Sequence, residues 1–240
     1  MIKRILKHFM GDVKTSLTYF YKSFEAKLGF LIPLAMFAFS FIELILRFKH
    51  GIDLIVKKLA LTSENILGIC THSLVHANFL HLLENLAGFI TFSIMLNLVL
   101  AIAFFSTPRK ERAAKLVALG KIYSHIVVLG YFPAGLVSYI SVVLGVIKEP
   151  VVGASGIVYA ILGYFITATM FMVYKMLAKL KTNIRITAIV ALIMLLTLTQ
   201  DIIESIDGTI NYIAHLTSSC LGITYSTIKI HKIERTLNQK

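Results

Sequence analysis

Six long apolar runs constrain this chain more than any other feature of its sequence. They fall at residues 30–48, 71–105, 119–147, 152–174, 184–200 and 210–228. A helix needs about 20 apolar residues to cross roughly 30 Å of hydrocarbon, and these runs approach or exceed that length. Inside a bilayer every backbone N–H and C=O must be satisfied within the chain, and one way to do so is a bundle of helices. The composition agrees, with 57% of the residues hydrophobic and 15% charged. A water-soluble domain carries about 45–50% apolar and about 25% charged residues, so a soluble enzyme is excluded. The sequence therefore predicts an all-α integral membrane protein with six transmembrane helices.

The segments outside the runs have distinct characters. Residues 1–29 form a basic N-terminal arm that reads as interfacial; the apolar stretch behind it is too long and starts too late for a cleavable signal peptide. Residues 49–70 are too interrupted by charge to span and read as an amphipathic loop at the membrane surface. Residues 229–240 form a basic tail, which leaves 30–228 as the membrane domain. The runs at 71–105 and 119–147 exceed a straight crossing, so tilt or protrusion is expected. Cys70 and Cys220 have no metal-binding or disulfide spacing and read as small buried hydrophobes.

Basic residues near span ends are retained in the cytoplasm, and here they are divided unequally. The arm carries six, the loop after the second run five, the loop after the fourth four and the tail four, whereas the alternate loops carry five in all. Both termini are thus predicted to be cytoplasmic. Acidic residues including Asp201, Glu204 and Asp207 then lie outside. The net charge of +12 is accounted for by topology and attraction to anionic lipid in the cell membrane, with no need for nucleic acid as a partner.

In this orientation the second, fourth and sixth runs all pass from outside to inside, and their polar residues gather near their outer ends. The second opens with Thr71, His72, Ser73, His76 and Asn78, then His81, Glu84 and Asn85. The fourth opens with Gly153-Ala154-Ser155-Gly156, and the sixth carries His215. Each has a structural reading. An intramembrane Ser can bond the carbonyl four residues back, a His can hold helices together, and small residues let helices approach closely. The combination points to chemistry. Ser155 would start a helix, where free N–H groups and the dipole can stabilise an oxyanion. His81 and Asn85, at i and i+4, emerge on one face. His215 offers an imidazole base for the Ser155 hydroxyl. Asp207 lies eight residues before His215, off the imidazole's face, so a dyad is expected instead of a triad. The soluble-hydrolase elbow Gly-x-Ser-x-Gly is absent, because Ile157 occupies its last position.

These residues resemble those of the rhomboid intramembrane serine proteases. His76-x4-His81-x3-Asn85, with His72 ahead of it, is similar to that family's His/Asn signature. Gly153-Ala154-Ser155-Gly156-Ile157-Val158-Tyr159 is similar to its GxSG motif, and Ala214-His215 to its Ala-His pair. Two positions differ from the pattern: Ser218 stands where the family usually has Gly, and Leu67-Gly68 where a Trp-Arg pair is common. The resemblance implies a six-helix rhomboid-like bundle, with Ser155 as nucleophile and His215 as base. It also implies Tyr159 stacked beneath the His ring, support from Gly153, and an oxyanion site of His81, Asn85 and the Ser155 N–H. No cofactor or metal is implied, and the substrates would be single-span membrane proteins cut near the outer face.

Two other classes compete with proteolysis. A catalytically silent relative could bind or retain membrane clients, although such proteins are expected to lack the Ser or the His. A metal or transport protein could use His72, His76 and His81, but HExxH is absent and His81 is turned well away from His76 on a helix.

Overall fold

The structure, a computed structural model, describes residues 11, 14–15, 17–50, 54–105, 109–147, 150–180 and 212–238. The run at 184–200, the acidic positions Asp201, Glu204 and Asp207, and the first ten residues of the basic arm lie outside the described residues. Among the described residues seven α-helices are delimited: α1 (Phe24–His50), α2 (Leu54–Leu59), α3 (Gly68–Thr71), α4 (Phe79–Phe105), α5 (Arg109–Val143), α6 (Ser155–Leu180) and α7 (Tyr212–Asn238). A 3-10 turn, His72–Leu74, follows α3. The only extended pairing among the described residues is an isolated antiparallel bridge between Leu61 and Val151.

Four of these helices are long and apolar enough to cross a membrane, over Phe24–Lys49, Phe79–Leu100, Ala113–Val143 and Ser155–Tyr174, and they correspond to the first four apolar runs. The chain is an integral membrane protein. The 27-residue α7 is long enough to cross but less apolar, because it carries Ser218, Ser219 and Ser226, all buried, and the charges of its last turns. Those serines face the bundle: Ser219 Oγ donates to the Tyr159 carbonyl of α6 at 3.3 Å, and Ser226 Oγ to its own helix at Gly222.

α6 occupies the centre, packed on α4, α5 and α7. Its burial follows from small residues on the faces it presents. Against α7 the approach is closest at Gly222, where a Cβ would collide with the Ala160 carbonyl. Gly222, one turn beyond Ser218, thus provides the close-packing position. Ser218 itself is fully buried, and its small side chain fits beside Gly156.

Three boundaries differ from those read in the sequence. The run at 71–105 is not one helix, since α4 begins only at Phe79. The cause is Asn78, whose Oδ1 accepts the His81 N–H at 2.8 Å and whose carbonyl accepts the Leu82 N–H, so it caps α4. α5 starts ten residues earlier than the apolar run, at Arg109, and its 35 residues extend about 52 Å at 1.5 Å each. α7 continues through the basic tail to Asn238. Cys70 and Cys220 are exposed on the outside of the bundle, contrary to the expectation of burial.

The loop between α1 and α4 is fastened to the bundle at several points. Leu61 and Val151 exchange both backbone hydrogen bonds, at 3.0 and 2.9 Å, and pack with Val142. Thr71 Oγ1 donates to the Leu59 carbonyl at 2.7 Å, and the Tyr131 hydroxyl to that of Cys70. From α1, Ser40 Oγ donates to the Leu74 carbonyl at 2.7 Å. Arg47 pairs with the buried Glu43 at 3.5 Å and donates to the carbonyls of His76 at 2.7 Å and Ala77 at 3.3 Å. Removing the guanidinium leaves those carbonyls and a buried carboxylate short of a partner. Arg47→Ala is therefore expected to lower stability by about 2–4 kcal/mol, read as a drop in the detergent-solubilised melting temperature, with Arg47→Lys intermediate. An unchanged melting temperature would mean that this strut carries no energy.

Candidate active site

The N-terminus of α6 is built by the short segment ahead of it. Gly153 has φ +112°, a backbone conformation that side chains other than glycine rarely adopt, and this turn sets Ser155 as the first residue of the helix. The Gly153 N–H donates to the His72 carbonyl at 3.0 Å, and the Ala154 N–H to His76 Nε2 at 3.4 Å. Two histidines of the former second run thus hold the approach to Ser155. His72 is buried, its Nδ1 2.9 Å from the Gly68 carbonyl and its Nε2 3.2 Å from Ser73 Oγ. Among the described residues no group of three or more His, Cys, Asp or Glu is placed to hold a metal ion.

Ser155 Oγ lies 2.8 Å from His215 Nε2. Tyr159 follows Ser155 by one helical turn, and its ring stacks on the imidazole with centroids 4.1 Å apart and planes 12° from parallel. The stacking fixes the ring plane, and the Oγ contact fixes which nitrogen faces the hydroxyl. The other nitrogen, His215 Nδ1, has no hydrogen-bond partner among the described residues. Ser155, Tyr159 and His215 are each only half-buried, so the pair is reachable from outside the bundle.

His81 and Asn85 converge on Gly153 from α4. A Cβ on Gly153 would stand 2.7 Å from His81 Cε1, 3.0 Å from His81 Nε2 and 3.4 Å from Asn85 Nδ2. Asn85 is buried, and its Nδ2 has no partner among the described residues. Two side-chain nitrogens therefore meet at the backbone two residues before Ser155, beside the first turn of α6, whose N–H groups have no helical acceptor. All six residues singled out in the sequence, Ser155, His215, His81, Asn85, Tyr159 and Gly153, fall in one region. Glu84 is exposed on α4.

Sequence reasoning missed the supports. Arg47 and Glu43 lie in what reads as an uninterrupted apolar run, yet two opposite charges at i, i+4 inside a span are a signal of a buried pair. Asn78 was visible as a capping residue three positions ahead of His81.

His76 is fully buried, outside the spanning part of α4. Burial, then the neighbouring His81, His72 and Arg47 charges, push it down to about 3 from its usual 6.5. The unfolded chain takes up a proton near pH 6.5 that the folded chain refuses until about pH 3. Stability is thus full above pH 6.5 and falls as the pH drops through that window, by at most about 1.4 kcal/mol per pH unit for this residue. Burial lowers His72 in the same direction. Melting temperatures measured from pH 7 to pH 4 are expected to fall, and His76→Gln is expected to flatten the slope.

The fold and the site define a class, integral membrane proteins in which a helical bundle brings a serine within hydrogen-bond distance of a histidine at a helix N-terminus. The rhomboid domain family model matches residues 63–232, most of the chain, and the chain belongs to the rhomboid family, whose members are generally intramembrane serine proteases. Comparison with curated proteins and with solved structures returns no match.

Proposed function

We propose that this chain is an intramembrane serine endopeptidase that cleaves single-span membrane proteins near the outer face of the cell membrane. The observation that carries this reading is the 2.8 Å contact between Ser155 Oγ and His215 Nε2 at the N-terminus of α6, with the imidazole stacked on Tyr159. In this reading α7 and the run at 184–200 complete a six-helix bundle, 30–228 is the membrane domain between arm and tail, and both termini are cytoplasmic.

His215 Nε2 accepts the Ser155 proton as Oγ attacks the scissile carbonyl. The oxyanion develops beside the first turn of α6, where the Ser155 N–H, His81 Nε2–H and Asn85 Nδ2–H can donate to it. The imidazolium returns its proton to the departing amine, and the substrate's acyl group remains on Oγ. A water, deprotonated by the same imidazole, then releases the new C-terminus and restores the serine. No carboxylate is required to orient His215, because the Tyr159 stack constrains its ring. The substrate helix must unwind locally, since a helical peptide carbonyl is already bonded within its own chain. Helix-breaking or small residues at the cleavage site follow.

Asn85→Ala removes one oxyanion donor and is expected to lower kcat by about 10²-fold with KM little changed. The overall reading is tested by co-reconstituting the protein with a generic single-span substrate in liposomes. Wild type is expected to give two fragments whose masses place the cut near the outer end of the span, and Ser155→Ala none. Intact substrate that co-purifies with wild type would point instead to client binding.

A further inference from the structure

A second feature lies at the other end of the bundle. The N-terminal half of α5 and the C-terminal half of α7 leave a cleft of about 390 Å³ between them. Its lining includes Lys115, Lys121 and Ile122 of α5 and Tyr225, Lys229 and Lys232 of α7. The spacing explains the combination. Lys115 and Ile122 are two turns apart on one face of α5, and Tyr225, Lys229 and Lys232 follow at i, i+4 and i+7 on one face of α7.

Depth decides what such a cleft meets. Lys229 and Lys232 come fourteen and seventeen residues after His215 on one helix, so they lie about 21 and 26 Å further along its axis. With the hydrocarbon about 30 Å thick and α7 crossing it with His215 near the outer boundary, a placement that rests on the function proposed above, these ammonium groups reach the opposite headgroup layer. The cationic charges differ in how they are answered. Lys115 is buried and satisfied by Glu234 at 3.4 Å and Glu111 at 4.0 Å, and Lys121 pairs with Glu25 at 3.2 Å. Lys229 and Lys232 make no ion pair among the described residues. The ammonium of Lys229 lies 5.2 Å from the centre of the Tyr225 ring, which holds it at the cleft.

We propose that this cleft binds the headgroup of an anionic phospholipid, with Lys229 and Lys232 engaging the phosphate and Tyr225 and Ile233, which also lines the cleft, lying against its glycerol and upper acyl chain. Two uncompensated lysines call for an anion, and a basic pocket between spanning helices at the headgroup level is suited to a charged lipid. The partly exposed apolar lining, Tyr225 and Ile233, selects a lipid over free phosphate, which would leave the Tyr225 ring and the Ile233 methyls facing water. The site shares the topology of the proposed function but not its chemistry, so lipid retention is read without any cleavage assay.

Native mass spectrometry of the full chain in detergent tests it, with equimolar phosphatidylglycerol and phosphatidylcholine as probes. Wild type is expected to retain phosphatidylglycerol preferentially. Lys229→Gln/Lys232→Gln is expected to weaken that retention about 25-fold, at about fivefold per lysine. Lys229→Arg/Lys232→Arg keeps the charge and is expected to keep the lipid. Lys57→Gln/Lys58→Gln removes equal charge from α2, at the Ser155 end, and is expected to change nothing. Millimolar inorganic phosphate is expected not to displace the lipid. The proposal is overturned if wild type shows no headgroup preference, if both glutamine pairs lose it equally, or if inorganic phosphate displaces the lipid. Should the first glutamine pair fail to fold, the arginine pair and the phosphate competition still decide.

Discussion

His215→Ala is expected to reduce kcat for cleavage of a co-reconstituted substrate by about 10⁴-fold or more, with little change in KM. The hydroxyl of Ser155 is a poor nucleophile at neutral pH, and the only base within reach among the described residues is the imidazole 2.8 Å away. Without it the proton has no destination during attack, and the departing amine has no donor. Substrate binding uses other surfaces, so KM should stay near the wild-type value. The fold should tolerate the change. His215 is half-buried and its Nδ1 makes no hydrogen bond among the described residues, so the chief structural loss is the stack on Tyr159. Such a stack is worth about 0.5–1.5 kcal/mol beyond its buried area. A large kinetic loss beside a small shift in melting temperature is the predicted signature. Comparable cleavage by wild type and His215→Ala would remove the base from the mechanism.

Gly153→Ala is expected to cost activity by a different route, with a smaller but still large effect. A methyl there meets His81 Cε1 at 2.7 Å, and a φ of +112° is strained for any residue with a Cβ. Either the imidazole moves or the turn that aims Ser155 relaxes. Displacing one oxyanion donor lowers kcat by about 10²–10³-fold. The strained backbone costs a further 1–3 kcal/mol of stability, or about that much if the segment rearranges to relieve it. Ser155 and His215 remain present in this variant, so it separates placement of the oxyanion face from the nucleophile and base. Gly153→Ala with wild-type kcat would show that the convergence of His81 and Asn85 on this residue has no part in turnover.

The site was more legible in the sequence than the frame that holds it. Ser155, His215, His81 and Asn85 are polar groups in runs that membranes otherwise keep apolar, and each such group needs a reason. Helical periodicity put His81 and Asn85 on one face, and the structure keeps them there. What periodicity could not supply was the start of α4. An apolar run shows that a segment is buried or in lipid, and it does not show where helix begins. The seven residues from His72 to Asn78 fold instead as a 3-10 turn and a non-helical connection, because donors from elsewhere in the chain take up their backbone carbonyls. Ser40 holds the Leu74 carbonyl, Arg47 those of His76 and Ala77, and Gly153 that of His72. These partners are separated from the segment by 29 to 81 positions, beyond any local pattern. His72 and His76, which a chain read as one helix would stack a turn apart, serve instead as props for the loop before Ser155. α7 shows the opposite limit. Its serines lower its hydropathy, and only packing against α6 reveals that they are turned inward.

The most direct measurement is covalent labelling of the detergent-solubilised protein with a fluorophosphonate, followed by peptide mass mapping. An activated serine displaces fluoride from such a probe, whereas an ordinary hydroxyl does not. The account predicts one phosphonyl adduct, on Ser155, in wild type, with none in Ser155→Ala and little in His215→Ala. An absence of labelling in folded wild type, or an adduct that persists in Ser155→Ala, would contradict it.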